Sequence, residues 1–464
     1  MCHAPSVRPI VSAAAAFRRC FANASLAIQI CSALFFLSCS MPLLWSAPGD
    51  ENWDAAFGVP GVEGYISAMS VSGKDLFVGG VFSSIGGVGA MNVARWDGAS
   101  WHALGPGLGG DGNEFYGGVA TLLVVNGELY AGGYFTNSGS QIVYSIAKWD
   151  GSNFWEPVST NFWASRINTL AWDGRYLYAG GSYLYFGNTT PNHIARWDGT
   201  NWSTLGNGVH AWVTGIAGGP RDYGVVQSMA VTGGVLYVGG GFDTAGAVRA
   251  TNIARWNGSN WSPMGNGLPG GAHALTAGPQ GLYSGGNSGV QLWDGSSWRA
   301  VGGNVQGRYQ ALGTVYSLSF NGENLFVGGD FPLAGGVPAV GLAKWNGTQW
   351  SALGSGISSN AYITALATTG TDLYVAGVFD SAGGKPATNI ARWRIPHELK
   401  IRRSADKALL SWPATGSNLL LETTLNPVAP NWTILSNPPG LHGGECVVTN
   451  PVTDAGQFFR LRGR

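Results

Sequence analysis

Residues 76–105 read LFVGGVFSSIGGVGAMNVARWDGASWHALG. One apolar run ends in Gly79-Gly80, a second ends in Trp96, and Asp97-Gly98 turns the chain back toward Trp101. Short runs of alternating apolar and polar side chains mark strands, and Asp-Gly supplies the positive φ angles of a tight hairpin. The stretch therefore predicts three antiparallel strands. With the preceding segment they form a four-stranded meander over Tyr65–Val71, Asp75–Phe82, Asn92–Asp97 and Trp101–Gly105.

The pattern returns along the chain. ARW or a close variant places a Trp at 96, 149, 197, 256, 293, 345 and 393, at spacings of 53, 48, 59, 37, 52 and 48. A period near 50 signals a repeat array whose units stack because none can cover its own faces. Ahead of each Trp runs LFVGG, LYAGG, LYVGG, LYSGG or LYVAG, so seven units are present. A second Trp marks the fourth strand at 101, 155, 202, 261, 298 and 350, but the seventh unit stops after Trp393 without one. The missing copy lies at the other end, in NWDAAFGVPG, where Trp53 precedes the first full unit. An N-terminal strand that completes the last sheet is the expected lock. The fold class read from these columns is all-β: a seven-bladed β-propeller with four-stranded antiparallel blades over residues 52–394, plus a small C-terminal β-sandwich over 397–464. That second module is expected to sort or attach the protein, or to cap the ring.

Composition agrees. Glycine makes up 74 of 464 residues and charged residues only 11 %, which excludes helix-rich folds, coiled coils and charge-driven disorder. Lys plus Arg balance Asp plus Glu at 25 each, so no electrostatic footprint for nucleic acid exists. Residues 1–47 read as an export signal or N-terminal anchor, with Arg8, Arg18 and Arg19 ahead of the apolar run 26–44. The expected location is secreted, extracellular or at the cell surface. Four of five cysteines lie in that leader, leaving Cys446 with no intramolecular partner.

The Gly-Gly doublet followed by paired aromatics resembles the kelch or galactose-oxidase central-domain class of propeller. It is similar to bacterial secreted repeats reading LYVGGxF, AGG and NIARWDGxxWxxLGxG. The resemblance covers residues 52–394 and implies a fold, not a chemistry. Kelch units place a Tyr before the Trp, whereas these have a closely spaced Trp pair, and unit five lacks the AGG loop. The copper site of galactose oxidase needs a Cys-modified Tyr and two His ligands. Cys446 lies outside the repeats, and His102, His193, His210, His273, His397 and His442 show no metal-ligand spacing. No catalytic residue, metal or cofactor is therefore expected.

Two GxGxxG matches, at 105–110 and 265–270, are inter-unit linkers that open no helix. The basic column Arg95, Lys148, Arg196, Arg255, Lys344 and Arg392 is expected to pair structurally between or within units, since Asp97, Asp150, Asp198, Asn257 and Asn346 stand two residues after its first five members on the same strand face. Binding residues are expected where the 2-3 loops and inter-unit linkers lengthen, since loops on a rigid scaffold carry function. The candidates are Tyr116, Trp163, Arg166, Tyr185, Trp212, Arg221, Asp222, Tyr223, Arg308, Tyr309 and Tyr362, with Phe115 beside them. The expected function is a non-catalytic scaffold, probing a glycan or a protein with this face. The partners exclude nucleic acid, membrane contact runs only through an uncleaved leader, and the chain is a monomer. The alternatives are a carbohydrate-active enzyme using Glu114 and Asp222, and a structural surface protein without a ligand.

Overall fold

The computed structural model describes residues 47–54, 57–110, 118–186, 192–213, 221–307, 312–358, 360–396, 399–404, 406–413, 419–426, 431–442, 445–451 and 456–463. Residues 1–46 of the expected leader, and the candidates Glu114, Phe115, Tyr116, Arg308 and Tyr309, lie outside them. The described chain is nearly all β, and its one helical turn is the 3-10 turn Asp50–Asn52. No helix among the described residues is long and apolar enough to cross a membrane.

Seven antiparallel meanders follow one another. Their first strands are Val62–Ser72, Gly118–Val125, Phe162–Trp172, Val225–Thr232, Ala274–Gly278, Thr314–Asn321 and Tyr362–Thr368, and they number sheets one to seven. Sheet one continues through Asp75–Ile85, Val93–Trp96 and Trp101–Ala103, within a few residues of the sequence expectation. Each first strand packs against the next, and Tyr362–Thr368 packs back against Val62–Ser72. Seven hydrophobic clusters fill the spaces between neighbouring sheets, including one that joins Ala365, Tyr374 and Ile390 of sheet seven to Ile66, Val78 and Phe82 of sheet one.

The Gly-Gly doublet has a separate steric reason at each position. A Cβ on Gly79 would stand 2.4 Å from Val119 of the next sheet, and one on Gly239 would stand 2.6 Å from Ala272. The first glycine thus sets how closely two sheets approach. A Cβ on Gly80 or Gly240 would stand 2.1 or 2.0 Å from the carbonyl oxygen of Tyr65 or Val225 on the adjoining first strand. That strand carries a register shift there, between Ile66 and Ala68 in sheet one and between Val226 and Ser228 in sheet four. The second glycine therefore accommodates a β-bulge.

Sheet seven has three strands of its own, and Trp53 bridges antiparallel to Trp393 at its open edge. The Trp53 and Trp393 rings meet edge to face at 5.0 Å, in the place where the other sheets set cross-strand Trp pairs 5.2–5.5 Å apart. The indole Nε1 of Trp53 donates to the Leu353 carbonyl of sheet six at 3.0 Å. Trp155 and Trp261 do the same toward Leu104 and Leu205 of their preceding sheets. Asp54 accepts from Arg392, Lys385 donates to the Asp50 and Trp53 carbonyls, and the amide of Thr388 donates to Gly58. Trp53, Asp54 and Gly58 therefore lie beside the strand Ile390–Arg394 and the residues just ahead of it.

Three details differ from the sequence expectation. The AGG loops form two-residue ladders that pair with the linker ahead of them, as Val209–His210 does with Thr244–Ala245. The basic column reaches sideways along the sheet: Arg95 pairs with Asp75 and Lys148 with Glu128, while Arg196 lies over the Tyr176 ring. Asp97, Asp150, Asp198 and Asp294 are occupied otherwise, each accepting backbone amides inside its own turn. Finally, alternation in the C-terminal segment predicts six short strands, whereas its described residues hold seven, the added one being the edge strand Gly440–His442. Two sheets, one holding Lys400–Ser404, Lys407–Pro413 and Glu445–Pro451 and the other Leu419–Thr424 and Phe458–Gly463, enclose a core of Leu410, Trp412, Leu421, Cys446 and Val448.

Candidate functional site

The seven first strands line one common void of about 270 Å³, to which each contributes residues from Ser67 in sheet one to Leu366 in sheet seven. The end of that void nearest the 2-3 loops is built from the start of each first strand and the end of the second. The repeat constrains backbone there but not side chains, because these positions face solvent. Successive units place Tyr65, Gly118, Arg166, Val225, Thr314 and Tyr362 one residue ahead of the buried aliphatic that opens the sheet core.

A cavity of about 350 Å³ opens there across sheets one to three, lined by Tyr65, Ser67, Val81, Tyr134, Ser165, Arg166 and Ser182 among others. Tyr65 and Tyr134 are exposed, at 45 % and 36 %, and both line this cavity. Arg166 is exposed and sits opposite Ser182 in the ladder. Further around the opening, Tyr316 lies 6.0 Å from His273, and Tyr362 is exposed. Two tyrosines, a guanidinium and three serine hydroxyls form a concave surface with stacking planes and both donors and acceptors.

Other predicted residues occupy the same end of the sheets. Trp163 is about half exposed and pairs across the strand with Tyr185, ring centroids 5.0 Å apart. Trp212, also half exposed, stacks on the His210 ring at 5.5 Å. Arg221 and Tyr223 are exposed on either side of Asp222. Sequence reasoning reached Arg166 and Tyr362 through strand starts next to long loops. It missed Tyr65 and Tyr134, whose signal is their place at the strand end in a column where Gly118 and Gly241 stand in other units.

Asp222 is not a free funnel carboxylate. Its Oδ2 lies 2.9 Å from Nε2 of His193 and 2.6 Å from Nδ1 of His210, and its Oδ1 accepts the amides of Ala211 and Gly224, both at 2.9 Å. Its carbonyl oxygen accepts from the Tyr183 hydroxyl at 2.5 Å. Burial raises the Asp222 carboxyl, but the bonds from His210, Ala211, Gly224 and His193 outweigh it and bring it to about 2. His193 is only 1 % exposed, and burial pushes its imidazole below the usual range against the pull of Asp222. Asp222 is thus an anion throughout the physiological range, with its oxygens already occupied. Among the described residues, His193, His210 and Asp222 are also the one group whose donor atoms gather closely enough to hold a metal ion, all within 4.8 Å. They come from a third strand, an inter-unit linker and the segment ahead of the next first strand, so spacing of 17 and 12 residues hides them.

No family model matches the chain, kelch included, and no curated protein matches it. Among solved structures, the computationally designed Ika8 protein is similar at 14 % identity and TM-score 0.40, over 72 % of this chain and 97 % of that one. The extracellular domain of the putative one component system BT4673 from B. thetaiotaomicron is similar at 12 % identity and TM-score 0.47, over 77 % and 44 %. The acylaminoacyl peptidase of Pyrococcus horikoshii is similar at 10 % and 0.36, over 78 % and 58 %. The chain therefore spans about half the length of the latter two. The overlays are too loose to carry an argument, and the architecture rests on the sheets themselves.

Proposed function

We propose that residues 52–394 form a seven-bladed β-propeller, exported from the cell, that binds a glycan without catalysis at the opening of its central channel. Support for the ring is the return of sheet seven onto sheet one, together with a single void lined from all seven first strands. Residues 397–464, with their own two-sheet core, serve as the attachment module. The observation that carries the binding reading is the pairing of exposed Tyr65 and Tyr134 with Arg166 around one cavity. Sugar rings present apolar C–H faces to aromatic planes and hydroxyls to arginine and serine, and this wall offers both. The enzyme alternative loses Asp222 as a free carboxylate, since histidines and amides hold it.

The test is a glycan array followed by calorimetry on the strongest hit, with Tyr65→Ala, Tyr134→Ala and Arg166→Ala. These side chains lie outside the core, so stability stays within about 0.5 kcal/mol of the parent, while affinity falls roughly tenfold for each aromatic removed. An array without hits, or binding unchanged in all three variants, overturns the reading. A protein captured only by the parent would instead assign the same wall to a protein partner.

A further inference from the structure

His193, His210 and Asp222 sit apart from the cavity wall, and nothing in the binding reading uses them. We propose that these three residues hold a divalent transition-metal ion of the zinc class, which ties the linker after sheet three to the start of sheet four.

The donor set is two imidazole nitrogens and one carboxylate oxygen, which suits zinc and its neighbours and not calcium or magnesium. Each donor belongs to a different part of the chain: His193 to the strand Asn192–Trp197, His210 to Val209–His210, and Asp222 to Arg221–Asp222. Donor atoms about 2.0–2.1 Å from a tetrahedral ion stand roughly 3.3 Å from one another. Here Asp222 Oδ2 lies 2.9 and 2.6 Å from the two nitrogens, the lengths of hydrogen bonds that stand where metal bonds would form. To hold an ion the carboxylate oxygen must draw back from both nitrogens by less than about 1 Å toward that spacing, and the three donor atoms, within 4.8 Å of one another, must gather around it.

The surroundings are those of a supported ligand set. Metal-bound histidines donate their other N–H to a carbonyl or carboxylate. The far nitrogen of His210 meets the Asn207 carbonyl at 2.5 Å. Both nitrogens of that ring therefore face oxygen acceptors, one the Asp222 carboxylate and the other a backbone carbonyl. On His193, Nδ1 has the Tyr183 amide at 3.4 Å and the ring also bonds the Gly181 backbone, so either tautomer finds a partner. The second oxygen of Asp222 is fixed by two amides. Gly224 leaves the necessary room: a Cβ there would stand 2.9 Å from His193 and 3.1 Å from Asp222 Oδ1. Tyr183, which anchors the Asp222 carbonyl, adopts φ +48°, a left-handed backbone unusual for a tyrosine. His210 and Asp222 remain 15 % and 10 % exposed, leaving a side from which an ion and a completing water can enter.

The experiment uses the whole secreted chain, stripped with a chelator and titrated with zinc chloride by calorimetry and with cobalt chloride by visible absorption. One equivalent per chain is expected, with the d–d bands of a tetrahedral or five-coordinate nitrogen–oxygen site. Asp222→Asn keeps an oxygen for the two amides and should weaken zinc at least tenfold, as should His210→Gln. Far-ultraviolet circular dichroism identifies variants that fold. Absence of saturable binding by the parent overturns the proposal without reference to any variant. Equal binding by the folded variants overturns it too. Glycan affinity of the stripped parent is measured in parallel, so that loss of the metal site and loss of the binding reading are told apart.

Discussion

The spaces between sheets and the opening of the central void obey opposite rules. Between sheets the same residues recur: a first glycine against the next strand, a bulge glycine, and a cross-strand Trp pair. At the opening no such column exists, and Tyr65, Gly118, Arg166, Val225, Thr314 and Tyr362, five residue types in six units, stand at one structural position. Packing against an identical neighbour forces identity, because each interface must fill to the density of a protein interior. Solvent imposes no such demand. In a repeat array, departures from the repeat are therefore where function is written.

The largest expected effect tests the packing side. Gly240→Ala forces a Cβ to within 2.0 Å of the Val225 carbonyl, a contact with backbone that no rotamer relieves. We expect a loss of about 4 kcal/mol or failure to fold, read by urea denaturation. Gly233→Ala, in the turn of the same hairpin at φ +59° with open space around it, should cost only about 1–2 kcal/mol. Equal losses would remove the steric account of the doublet.

Next comes the seam. Trp53→Ala removes a buried ring, its edge contact with Trp393 and its bond to the Leu353 carbonyl. A loss of about 3–5 kcal/mol is expected from the cavity alone. If Trp53 served only as a local cap, the loss would be confined to sheet seven. As a seam it should lower the single transition of the whole array, which hydrogen exchange across sheets one and seven would distinguish from local fraying.

This contrast also accounts for what could be read from the sequence. Strand order, the Trp columns and the Trp53 seam were legible because they are repeated, and repetition is visible in one dimension. The reason for each glycine was not, since Gly79 answers to Val119 some forty residues away. The three-residue node was hidden for the same reason, although one local sign existed. His193 occupies the column held by Asn92, Asn252 and Asn389, whose amides bridge strand two to the following linker or strand. A histidine in an asparagine column is a departure from the repeat. Asp222, by contrast, stands out in the sequence as a loop carboxylate, and only the fold shows which histidines and amides meet its oxygens.

The smallest effect concerns the opposite end of the sheets, where the short 3-4 turns use Asp in four units and Asn in two. Asp97, Asp150, Asp198 and Asp294 each accept two or more turn amides, which hold their carboxyls below the ordinary range. Asn257 and Asn346 make the same bonds with an uncharged oxygen. A group whose folded value is depressed contributes stability above its unfolded value, about 4 for Asp, and loses it as pH falls through the folded value. Replacing all four aspartates by asparagine should therefore leave the melting temperature near neutral pH almost unchanged, since the accepting oxygen stays in place. Below about pH 4 the variant should lose less stability than the parent. These turns are solvent-exposed, so a small difference in the acid limb is the expected reading. An acid limb identical to the parent's would mean that the charge on these turns adds nothing to the hydrogen bonds, and that Asp and Asn are interchangeable there for reasons of backbone shape alone.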